Sequence, residues 1–77
     1  MSSKFREYLK TVQELQSICN NSTRRFVIDV FNQNEFRVLI EYLEDGELKR
    51  TYFDFHECRS EDWCEDNIKK LKTIVGA

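Results

Sequence analysis

From Arg24 to Phe55 apolar and polar residues alternate with a period of two, and on either side of that stretch the period lengthens to 3.6. Those two periods separate strands from helices. In the middle lies Glu44-Asp45-Gly46-Glu47. Asp-Gly between alternating runs predicts a two-residue type I′ turn, because both central residues of that turn need φ > 0. Such a turn pairs Glu44 with Glu47, and the ladder continues as Leu43/Leu48, Tyr42/Lys49, Glu41/Arg50, Ile40/Thr51, Leu39/Tyr52, Val38/Phe53, Arg37/Asp54 and Phe36/Phe55. One face of this hairpin reads Phe36, Val38, Ile40, Phe53, Phe55 and is the expected core. The other carries the opposite-charge pairs Arg37–Asp54 and Glu41–Arg50 together with Leu39, Leu43, Leu48 and Tyr52.

Arg24–Phe31 predicts a third strand, with Phe26, Ile28 and Val30 on one side, followed by a turn at Asn32-Gln33-Asn34. Pairing Val30 with Phe36, Ile28 with Val38 and Phe26 with Ile40 gives all three strands one apolar face. A slip of one residue would set Asp29 opposite Val38 on the core side, so the connection is expected to be a five-residue loop or a bulge. The outer face then gains Val27 and Phe31, and Asp29 lies beside Arg37.

Residues 3–19 predict a helix, with Phe5, Tyr8, Leu9, Val12, Leu15 and Cys19 on one stripe, Ser3 as N-cap, and Asn20-Asn21 ending it through a left-handed residue. The last segment predicts a second helix. Ser60 is its N-cap, acidic residues 61, 62, 65 and 66 precede Lys69, Lys70 and Lys72 as the helix dipole favours, and Gly76 ends it. Glu65–Lys69 and Asp66–Lys70 are i,i+4 pairs. Its apolar stripe is Trp63, Cys64, Ile68, Leu71, Ile74 and Val75. The expected fold is α+β: residues 1–77 form a single two-layer domain, α-β-β-β-α, with a three-stranded antiparallel meander packed against two helices.

Composition narrows what such a domain does. Six Phe, three Tyr and one Trp supply a small core for 77 residues without disulfides or metal. Twelve basic and fourteen acidic residues give a net charge of −2, which argues against a general polyanion binder. Three cysteines, an odd number, do not close a disulfide framework. With no apolar opening segment and no run long enough to span a membrane, reduced thiols and a cytoplasmic location are expected. The sequons within Asn20-Asn21-Ser22-Thr23 are then a polar loop. Absence of proline, a lone alanine and abundant Asn, Lys, Ile and Phe match an AT-rich coding sequence of bacterial or phage kind.

Candidate chemistry is sparse. His56, Cys58 and Cys64 place three soft ligands within nine residues, but the spacing is not C-x₂-C and the fourth thiol, Cys19, belongs to the opposite end of the sheet. No metal and no cofactor is expected. Cys64 lies in the first turns of a helix, where a dipole lowers a thiol pKa, yet Glu61, Asp62 and Glu65 oppose a thiolate and its stripe points to the core. His56 is the only histidine, and no nucleophile elbow or phosphate loop is present, so no catalytic site is expected.

The order α-β-β-β-α resembles that of double-stranded RNA-binding domains, in element order alone. That family uses basic residues at the start of its last helix; here Ser60-Glu61-Asp62-Trp63-Cys64-Glu65-Asp66 stands there and would repel phosphate. A nucleic-acid role would have to use Lys4, Arg6, Lys10, Arg24 and Arg25 around the first helix and first strand. The favoured expectation is a small non-enzymatic protein-binding module, a regulator or inhibitor, acting as a homodimer or on another protein. Its contact surface is the outer sheet face, with Leu39 and Tyr52 as anchors, Val27, Phe31, Leu43 and Leu48 around them, and Arg37, Glu41, Arg50 and Asp54 setting orientation. The unpaired edges of the first and third strands offer a second route. A helix lying over the outer face would remove the first.

Overall fold

A computed structural model describes residues 2–76. Helix α1 (Ser3–Ser17) leads into strands β1 (Thr23–Asn32), β2 (Glu35–Glu44) and β3 (Glu47–His56), and helix α2 (Glu61–Val75) closes the chain. The sheet is an antiparallel meander in the order β1-β2-β3, so both outer strands are edges. The predicted α-β-β-β-α fold is the one observed.

The hairpin has its expected register throughout, from Glu44↔Glu47 to Phe36↔Phe55 and one pair further, Glu35↔His56. Asp45 and Gly46 take φ of 54° and 80°, the two left-handed residues that a type I′ turn requires. Val30↔Phe36, Ile28↔Val38 and Phe26↔Ile40 also pair as predicted. A bulge at Phe31 preserves that register, since Val30 faces Phe36 while Asn32 already faces Glu35. The Asn32 carboxamide oxygen accepts from the Asn34 backbone N–H and tightens the turn. A second irregularity falls at Arg24.

Both helices cover the same face. Phe5, Tyr8, Val12 and Leu15 of α1 and Cys64, Ile68, Leu71 and Val75 of α2 are buried with Phe36, Val38, Ile40, Phe53 and Phe55. Four rings tie the layers together. Phe36 lies 4.7 Å from Phe55 in a stack and 5.2 Å from Phe5, while Phe55 meets Trp63 edge-on at 5.5 Å. The Arg59 guanidinium closes the row, 4.0 Å from the Trp63 ring centre.

Several local expectations are corrected. The N-cap of α1 is Ser2, whose hydroxyl accepts from the Phe5 N–H, not Ser3. Helix α1 stops at Ser17, before Cys19, and Asn20 is not left-handed. Its side-chain oxygen instead accepts from the backbone N–H groups of Ser22 and Thr23, giving the chain a turn that competes with helix. Val30, expected on the core face, is exposed because β1 is an edge and the helices do not reach its end. At α2, Ser60 and Gly76 cap as predicted, with Gly76 left-handed at φ 80°. Glu65 contacts Lys4 of α1 at 3.7 Å rather than Lys69, because the two helices lie side by side.

Phe36 stands between α1 and β3 and is fully buried. Phe36→Ala is therefore expected to cost about 3–5 kcal/mol of stability in denaturant unfolding, a large share of what so small a domain possesses.

Candidate functional site

Pairing in both hairpins fixes what the uncovered face presents, since paired residues project to the same side of a sheet. Three rows cross it. Asp29–Arg37–Asp54 forms one, Val27–Leu39–Tyr52 the next, and Arg25–Glu41–Arg50 the third. Signs along the first charged row run minus, plus, minus; along the other they run plus, minus, plus. Leu43 and Leu48 extend the face toward the Asp45-Gly46 turn, and Phe31 borders its far end.

The face is open. Tyr52 is 53% exposed, Leu48 59% and Phe31 51%. Val27, Leu39 and Leu43 are half-buried by their in-sheet neighbours. Arg37 donates through Nε to Asp54 at 2.5 Å, and its guanidinium lies 5.3 Å from the Phe31 ring centre and 5.8 Å from that of Tyr52. The Asp54 hydrogen bond, with its charge, raises the Arg37 pKa further above its normal value. Opposite this cluster, Glu41 Oε1 lies 3.0 Å from Arg50 and 3.9 Å from Arg25. That oxygen is buried and lacks an aligned hydrogen bond, so it is held by charge alone. Asp29 makes no ion contact among the described residues.

All ten residues expected at the protein-binding face therefore lie on one surface, and no helix covers it. Asp29 joins them; its position follows from the β1–β2 register. Phe31 stands over Arg37 because the bulge turns it there, which strict alternation does not reveal.

The basic residues of the alternative role do not assemble. Lys4, Arg6 and Lys10 belong to α1, on the covered side of the sheet, whereas Arg25 projects from the opposite side. Lys4 contacts Glu65, Arg25 contacts Glu41, and Arg24 occupies the irregularity of β1.

The covered side holds little chemistry. Among the described residues no three His, Cys, Asp or Glu side chains converge as a metal cage. Cys64 is buried, and burial pushes its thiol pKa up; Cys19 is shifted the same way for the same reason. His56 Nδ1 accepts from the Cys58 backbone N–H, which orients the ring within its own turn. A groove of about 480 Å³ runs between α2 and β3, bordered by Tyr42, Phe53, Asn67 and Lys70, with no cluster of reactive groups. No helix of the described residues is long and apolar enough to cross a membrane. No family model matches the chain, and neither a curated protein nor a solved structure does.

One buried polar atom on this side has a measurable consequence. The Tyr8 hydroxyl is buried without a hydrogen-bond partner, and its pKa is pushed up to about 12, first by burial and then by Glu61 and Glu65. The folded state thus keeps a proton that the unfolded chain releases near 10. Stability from this source is complete below pH 10 and declines as pH rises from about 10 to about 12. Tyr8→Phe is expected to flatten that alkaline decline in thermal melts and to leave neutral-pH stability unchanged or higher, because it removes an unsatisfied hydroxyl.

Proposed function

We propose that this chain is a small non-enzymatic protein-binding module, a cytoplasmic regulator or inhibitor that acts through the outer face of its sheet. One observation carries the proposal: both helices pack on a single face, leaving Val27, Leu39 and Tyr52 as an apolar row open to solvent between two charged rows. Apolar groups contiguous on a surface signal a partner in a way that scattered ones do not. An apolar centre bordered by charge also has the anatomy of a protein interface.

Leu39, at the centre of the middle strand, and Tyr52, beside it on β3, are the anchors. Arg37, Glu41, Arg50 and Asp54 border them with charges already paired in the sheet, which favours specificity over raw affinity. Regulation by occlusion suits a domain of this size, whose bound face would cover a surface on a larger protein.

Leu39→Asp tests the assignment. A charge at this position stays on the solvent side, so the variant is expected to fold with a circular dichroism spectrum like the wild type's while losing association. Val38→Asp, one residue away on the covered face, buries an unpaired carboxylate and is expected to unfold the domain. Chemical cross-linking in cell extract, wild type beside Leu39→Asp, reads the association. Cross-linked products unchanged by the substitution would refute the assignment.

A further inference from the structure

The two charged rows carry opposite patterns, and this has a geometric consequence. Asp29–Arg37–Asp54 reads minus-plus-minus and Arg25–Glu41–Arg50 reads plus-minus-plus, equally spaced on either side of Val27–Leu39–Tyr52. Across these three rows the surface is complementary to itself turned end for end. We propose that the occupant of the outer face is a second copy of the chain, stacked face to face about a twofold axis along the Val27–Leu39–Tyr52 row. The proposal rests on the protein-binding assignment above and names its partner.

Such an axis lays each strand over its own counterpart, running the opposite way. The first charged row of one copy then covers the other charged row of the second copy. Asp29 meets Arg25, Arg37 meets Glu41 and Asp54 meets Arg50, and symmetry makes each contact twice. Each of these charges keeps its in-sheet neighbours of opposite sign and gains a facing one. That compensation is what buried charges need. Asp29, without an ion contact among the described residues, acquires one. The apolar row covers itself, Leu39 on Leu39 and Tyr52 on Tyr52. A twofold axis along the strands would instead set Arg37 on Arg37 and Glu41 on Glu41, like on like. The charges therefore select one of the two face-to-face arrangements. The selected one is compatible with the aligned stacking of twisted sheets, whose strands lie within about 30° of each other.

The area sets the strength. Three strands about 4.8 Å apart, each of ten residues rising about 3.3 Å, present a face of roughly 14 by 33 Å. Two such faces bury close to 1,000 Å², at the lower limit for a specific interface. The dimer is thus expected to dissociate in the micromolar range or above and to exchange readily.

Sedimentation equilibrium across a wide dilution series, on wild type, Arg37→Glu, Glu41→Arg and the double variant, is the test. Each single change sets like charges against each other at two symmetric contacts and is expected to weaken the dimer by roughly a hundredfold or more. The double variant makes one row wholly acidic and the other wholly basic. These again match across the proposed axis, and the dissociation constant should return to within about tenfold of the wild type's. Arg37→Gln, which adds no in-sheet repulsion, covers the case in which a single swap fails to fold, and is expected to weaken the dimer by about tenfold. A wild type that is monomeric at millimolar concentration overturns the proposal. So does a dimer indifferent to the single changes, which would place the contact at an edge strand, and so does a double variant that stays monomeric. If the wild type is monomeric while Leu39→Asp still abolishes capture of another protein, the face binds and only the second copy is excluded as its occupant. If neither association depends on Leu39, the protein-binding assignment fails as well.

Discussion

Everything on both faces of this sheet depends on register, and register depends on two turns. A strand alternates its side chains with period two, so a slip of one residue exchanges the two faces of the strand that slips. At the β2–β3 connection a slip of β3 would bring Asp54 and Arg50 under the helices and send Phe53 and Phe55 to water. Asp45 and Gly46 prevent it by taking left-handed backbone angles that few other dipeptides tolerate. At the β1–β2 connection the bulge at Phe31 does the same work by absorbing the odd residue. The charged rows and the apolar core are two consequences of one pair of turns.

Given that register, the layer of helices follows from the aromatic row. Phe5, Phe36, Phe55 and Trp63 come from α1, β2, β3 and α2 in turn, and their contacts pin both helix N-termini to the same end of the same face. The Ser2 backbone N–H donates to the Glu57 carboxylate at that end and lowers its pKa. At the other end the Asn20 side chain reaches the Ile74 carbonyl, so the helices run parallel. A domain of 77 residues has material for one core. Once both helices are spent on it, the second face of the sheet is left to the solvent or to another molecule.

What was legible in the sequence was what local chemistry decides. The Asp-Gly turn, the caps at Ser60 and Gly76, the helix stripes and the hairpin ladder each rest on residues within a few positions of one another. Less legible were features settled by tertiary contact. Val30 has the right parity for the core but lies beyond the reach of α1 and α2. Asn20 has the propensity for a left-handed cap, yet its side chain forms a turn of its own. Lys4 draws Glu65 away from the i,i+4 partner that helix periodicity assigns. Whether both helices share the Phe36–Val38–Ile40 face is the weightiest of these, because no residue pattern within a helix stripe says which layer of the sheet it covers. The site residues were legible because register alone places them; the over-ring position of Phe31 on Arg37 was not.

The outer face balances three positive against three negative groups within its two charged rows. Those two rows together carry no net charge with which to attract a partner over a distance. Their information lies in alternation at close range. Alternating charges pair with one another in the free sheet, Arg37 with Asp54 and Glu41 with Arg50. The same alternation disfavours a surface displaced by one strand, because the sign reverses from each strand to the next, and one displaced by a row along the strands, because charge then meets the apolar row. A small apolar row supplies little affinity and no register of its own. In the proposed complex the leucine and tyrosine would provide adhesion, and the arginines and carboxylates would decide to what, and in which orientation, it is applied.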